Sequence, residues 1–88
     1  MSETQGGRAL EIAQHAVGVY ERTAEVLKHT ADLAEEHALR QEQAGRRGDA
    51  RAEHATAERA LKAAHQARKA AGRASETAQR IRRSLAED

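Results

Sequence analysis

Cysteine and proline are absent from this 88-residue chain, as are tryptophan and phenylalanine, and Tyr20 is the single aromatic side chain. Without cysteine there is no disulfide framework, no thiolate metal site and no thiol nucleophile, so the usual stabilisers of small secreted domains are missing. Without proline nothing breaks a helix from within. No apolar run approaches the roughly 18 residues that a membrane span needs. The first residues, Met1 to Gly7, carry neither the basic start nor the apolar stretch of a signal peptide. The expectation is a cytoplasmic protein with no membrane partner.

What the chain does have is alanine, 21 of its 34 apolar residues, with six Leu, two Ile, three Val and one Met beside Tyr20. Chains of this size bury only about 60% of their unfolded surface. So few large side chains would barely offset the entropy of ordering a globular monomer. Charged residues make up 33% of the chain, and with Ala, Leu and Gln they form the composition of long helices packed on each other. Sandwiches, barrels and Rossmann-type units are excluded. Little room remains for an enclosed active site, a cofactor or a catalytic constellation, and we read a non-enzyme with no cofactor.

From Leu10 onward apolar residues recur at alternating spacings of three and four: Leu10, Ala13, Val17, Tyr20, Ala24, Leu27, Ala31, Ala34 and Ala38. These are positions a and d of a seven-residue repeat lettered a to g. A second seam of Ile12, Ala16, Val19, Val26 and Leu33, interleaved with Thr23, Thr30 and His37, occupies c and g. The apolar face therefore spans roughly 160° of the helical wheel. In the second half a and d are held by Ala57, Ala60, Ala64, Ala67, Ala71, Ala74, Ala78, Ile81 and Leu85. A helix with methyl-sized knobs lets a neighbour approach to the near end of the usual 8–10 Å. The larger Ile12, Val19, Val26 and Leu33 are expected to fill space against it.

Between the halves lies Gly45-Arg46-Arg47-Gly48-Asp49. Gly45 suits the residue just past a helix end and Asp49 suits a helix N-cap. The repeat also slips by two residues here, since position a runs through 38 and resumes at 50 and 57. The fold expected is all-α: an antiparallel helical hairpin with a flexible N-terminus at 1–7, a helix over 8–44, a turn at 45–48 and a helix over 49–86. Acid-first pairs at i,i+4, namely Glu36/Arg40, Glu42/Arg46, Glu58/Lys62 and Glu76/Arg80, should add a few tenths of a kcal/mol each.

Two helices alone leave part of so wide a face in water, so the hairpin is expected to form a homodimeric four-helix bundle or to accept a helical protein partner. The residues assigned to that interface are Leu10, Val17, Tyr20, Ala24, Leu27, Ala64, Ala67, Ala71, Ala74 and Ile81. Gly18 and Gly72, both at b, mark a second candidate, a bare backbone patch for a partner. Net charge is only +1, but residues 8–44 hold four basic and seven acidic residues while 49–88 hold nine and six. Arg59, Arg68, Arg73 and Arg80, with Arg46 and Arg47 in the turn, would be the contacts if the basic half bound nucleic acid. The missing stacking aromatics weaken that alternative. His37 and His54 fall at one height on opposite helices and are weak candidates for a metal or pH-sensing pair.

The stretch Ala34-Glu35-Glu36-His37 through Gly48-Asp49, followed by Ala52-Glu53-His54 and Ala57-Glu58-Arg59-Ala60, resembles small Ala/Arg/His-rich helical-hairpin proteins of high-GC actinobacteria. The resemblance implies the hairpin and carries no activity, cofactor or site residue. Helical secretion-substrate hairpins of similar length differ in having a Trp-x-Gly turn.

Overall fold

The computed structural model describes residues 3–87, with side chains from residue 5 onward. It contains two helices, α1 (Glu3–Gln43) and α2 (Arg47–Glu87), packed side by side into a rod 66 × 14 × 13 Å between Cα limits. Among the described residues no helix is long and apolar enough to cross a membrane.

The reversal is a glycine-dependent helix stop. Gly45 has φ +76°, a left-handed conformation that costs other L-residues roughly 1–2 kcal/mol. Its amide donates to the Glu42 carbonyl at 3.0 Å, and the Arg46 amide donates to the Gln41 carbonyl at 2.8 Å. This pair of reversed bonds satisfies carbonyls that the helix end would otherwise orphan. The restart comes sooner than the expected N-cap at Asp49. The Ala50 amide already donates to the Arg46 carbonyl at 3.0 Å, so Arg46 holds the cap and α2 begins at Arg47. Asp49 lies in the first turn instead, its carboxylate beside the positive end of the helix dipole.

At the other end α1 starts at Glu3, whereas 1–7 was expected to lie outside the helix; Met1 and Ser2 are outside the described residues. Gly6 explains part of the extension. It is buried at a d position, and a Cβ placed there would lie 2.5 Å from Leu85 Cδ2. Leucine 85 thus rests on bare backbone and ties the first turn of α1 to the last of α2.

Among the described residues every buried hydrophobic side chain is alanine: Ala13, Ala24, Ala31, Ala34 and Ala38 from α1 against Ala50, Ala57, Ala60, Ala64, Ala67, Ala71 and Ala78 from α2. Every one falls on position a or d, as the spacing requires. The seam is tightest toward the turn, where Ala31, Ala34, Ala57 and Ala60 cluster. Toward the open end the larger Leu10, Val17, Ile81 and Leu85 stand between the helices half-buried. Heights match so that residue i lies beside residue 90 − i or close to it. Gly6 meets Leu85, Glu35 meets His54, and Tyr20 and Ala70 line one groove.

The expected packing of Ile12, Val19, Val26 and Leu33 against the alanine helix does not occur within the chain. They are 63, 39, 65 and 41% exposed. Alanine meets alanine first because small side chains at a and d let the backbones close completely. Position c then points more than 90° away from the contact. Nor do the four expected acid-first pairs close to within 4.0 Å. Glu42 is engaged by His54 instead, and Arg80 donates to the Thr77 hydroxyl at 3.2 Å. The other pairs keep their rotamer freedom in water, which offsets most of what an exposed ion pair gains.

Candidate protein interface

In an antiparallel pair the two e positions meet on one flank of the seam and the two g positions on the other. The e flank is charged. Glu21, Lys28, Glu35 and Glu42 on α1 face His54, Arg68 and Arg82 on α2, with Leu61 exposed among them. Here His54 clasps α1: Nδ1 lies 3.0 Å from Glu35 and Nε2 2.8 Å from Glu42. Both ring nitrogens donate only when the imidazole is doubly protonated. The hydrogen bond to Glu42 and then that to Glu35 raise its pKa above the usual 6.5, with the two carboxylate charges adding and partial desolvation opposing. A raised folded-state pKa contributes stability that is complete below 6.5 and disappears as pH climbs through the raised value. Melting temperatures of the native chain and a His54→Gln variant should therefore differ most below pH 6.5 and converge as pH rises past the raised value; a gap that widens with pH would contradict the clasp.

From the sequence Glu42 was paired with Arg46 and neither it nor Glu35 with His54, although the pairing of e with e at matching height would have found them. His37, at g, lies on the flank opposite His54 at e and is exposed. The two histidines do not converge on one ligand. Among the described residues no group of three or more His, Asp or Glu side chains is placed to hold a metal ion.

Outside the first turn of α2 the g flank carries no Asp, Glu, Lys or Arg. It runs Ala9, Ala16, Thr23, Thr30 and His37 on α1 against Thr56, Ala63, Ala70, Thr77 and Ser84 on α2. Four of its threonines donate their hydroxyls to the carbonyl four residues earlier: Thr23 to Val19 at 2.9 Å, Thr30 to Val26 at 3.0 Å, Thr56 to Ala52 at 3.1 Å and Thr77 to Arg73 at 3.0 Å. Covering them leaves no unmet donor, which removes the main cost of burying a hydroxyl. Alongside runs the exposed row Ile12, Val19, Val26 and Leu33. Toward the open end this flank deepens into a groove of about 500 Å³ lined by Ile12, Ala16, Tyr20, Ala70, Thr77 and Ile81.

The structure divides the interface residues inferred from sequence. Ala24, Ala64, Ala67 and Ala71 are consumed in the seam between the chain's own helices, and Leu10, Val17, Leu27, Ala74 and Ile81 are half-buried there. Tyr20 is 40% exposed at the rim of the groove rather than filling the core. The uncovered apolar surface is therefore c and g, not a and d. A run of large residues seven apart, at 12, 19, 26 and 33, was the signal.

Arg59, Arg73 and Arg80 form a row at c on α2 beside this face, while Arg68 lies on the charged flank and Arg46 and Arg47 are exposed at the turn. Arg59 donates to Thr56 at 3.3 Å, as Arg80 does to Thr77. Gly18 and Gly72, at b, look away from the groove. Gly18 has Arg22 over it, and an added Cβ at Gly72 would meet nothing within 4 Å. Gly72→Ala should then simply recover helix propensity of up to about 1 kcal/mol, raising the melting temperature by roughly 4–8 °C. A lowered midpoint in a thermal scan would mean that something packs there.

Compared with family models, with curated proteins and with solved structures, the chain matches none.

Proposed function

We propose that this chain is a non-enzymatic helical-hairpin module that self-associates through its g flank and serves protein-protein assembly. The observation that carries this reading is the exposed row Ile12, Val19, Val26 and Leu33 beside a stretch of flank that has no Asp, Glu, Lys or Arg and whose threonine hydroxyls are already satisfied. A contiguous apolar strip with polar groups paired off is the pattern of a surface meant to be covered. The alanine-rich seam supports the same conclusion, since its fully buried side chains are all methyl groups and give the two-helix rod little apolar burial of its own. Nucleic-acid binding draws less support. Two arginines of the c row are turned onto threonine hydroxyls of their own helix, and the chain's net charge is +1.

Sedimentation equilibrium tests the proposal. A mass twice 9.6 kDa at micromolar concentration, persisting in high salt because the contact is apolar, is the expected result. A monomer at every concentration, or association that vanishes with salt, would overturn it.

A further inference from the structure

Taking the g flank as the covered interface proposed above, we infer that its fitted partner is an amphipathic helix of another protein, with acidic residues at seven-residue spacing along one border of its apolar stripe. The flank is a groove with two unlike walls. On α1 the wall is the exposed row Ile12, Val19, Val26 and Leu33. On α2 it is the c row Arg80, Arg73, Gln66 and Arg59, all exposed. Because residue i lies beside about 90 − i, the two rows come level in that order to within a turn, Ile12 with Arg80 and Leu33 with Arg59. The floor between them is alanine and threonine.

The arginines are turned into the groove. Arg59 and Arg80 donate to Thr56 and Thr77, at 3.3 and 3.2 Å, and both threonines belong to the floor. Arg73 lines the deepened end beside Tyr20. A guanidinium carries five N–H donors in a fork that suits a carboxylate, and among the described residues none of these three has an acidic side chain within 4.0 Å. A helix laid in the groove meets apolar surface on one side and cations on the other. Its complement is Leu- or Val-sized residues toward α1 and Asp or Glu toward α2.

A second copy answers only half of this. From Glu11 onward the acidic residues of α1 sit at b and e, away from the groove, with Glu36 at f the exception. The c and f positions bordering the groove carry Arg8, Arg22 and Arg40 on α1, and on α2 the arginine row with Lys62, Lys69 and Arg83 against Glu76 and Glu87. Whichever way two copies are related, basic border meets basic border. Self-association covers the apolar row and leaves the arginines facing like charge, so a helix that brings carboxylates to them displaces the second copy. An anionic bilayer would also answer the charge. The chain, however, has neither the tryptophan nor the phenylalanine that interfacial helices bury, and its arginines converge on a groove instead of splaying over a flat face.

The probe is a synthetic helix of roughly four heptads whose leucine stripe is bordered on one side by glutamate, run beside a control peptide with lysine in those places. Fluorescence anisotropy of the labelled peptides against the native chain reads affinity, and sedimentation reads the fate of the dimer. The glutamate peptide should bind about tenfold more tightly than the lysine peptide, as three rim ion pairs allow. The dimer should give way to a complex of one chain and one peptide. Arg73→Glu, at an exposed position, should narrow the difference severalfold by weakening the first peptide and strengthening the second. Equal affinity for the two peptides, a preference unmoved by Arg73→Glu, or binding to phosphatidylglycerol vesicles in place of either peptide overturns the inference and leaves self-association standing. A chain that stays monomeric at every concentration without peptide overturns self-association itself, and one that also binds neither peptide overturns both.

Discussion

Ala57→Leu should lower the unfolding free energy by about 3 kcal/mol, at the upper end of what overpacking costs in a close-packed core. Ala57 is 0% exposed and sits in the cluster with Ala31, Ala34 and Ala60. Its methyl already touches the facing helix, so three further carbons have nowhere to go. The helices can respond only by spreading. In a rod with a single seam that loosens the turn-side alanines above and below, among them Ala38, Ala50 and Ala64. Leu61→Ala is the matched control. Leu61 is half in water on the charged flank, and its truncation should cost under about 1 kcal/mol, since little area returns to solvent. Urea titrations at one fixed protein concentration would compare the two, because dimerisation makes apparent stability depend on concentration. If Ala57→Leu unfolds at the native midpoint, the seam is not close-packed and the description of the core fails.

Much of this seam could be read from the chain. All twelve buried alanines fall on positions a and d, because a long helix can keep a fixed neighbour only by repeating its contact every seven residues. Gly45 was likewise legible, since few residues tolerate the φ needed to reverse a helix in so short a link. Asp49 misled because cap preference was judged from side-chain chemistry alone. The backbone bonds that complete the Gly45 stop leave Arg46 already positioned to begin α2. Spacing alone also could not say which of two adjoining seams the hairpin would use. Packing small against small wins within the chain because it brings the backbones closest, and the bulky row at c is left over. The clasp of His54 on Glu35 and Glu42 escaped notice for a related reason. It depends on the flank where e meets e, which is defined only once the antiparallel register is known.

The left-over row makes the second large effect. A chain carrying Val19→Asp and Val26→Asp should remain a helical hairpin and lose its partner. Both valines are exposed in the single chain, so the substitutions remove nothing from the alanine seam, and far-ultraviolet circular dichroism should be nearly unchanged. A two-fold dimer counts each substitution twice. Val19 and Val26 have 39% and 65% of their surface left to bury, so at about 1.5 kcal/mol for a whole valine the four lost burials amount to about 3 kcal/mol before any cost of dehydrating the new carboxylates. At 1.4 kcal/mol per tenfold this weakens association by roughly a hundredfold, and the dehydration cost adds to it, which turns a micromolar dimer into a monomer at micromolar concentration. Sedimentation of the double variant reads that loss. Leu61→Asp is the decisive companion, because it places the same charge on the flank that holds Glu35, Glu42 and His54. With the g flank as the interface, Leu61→Asp sediments as the native dimer. If it dissociates while the double variant does not, the covered face is the charged one, and the apolar row at 12, 19, 26 and 33 has another use.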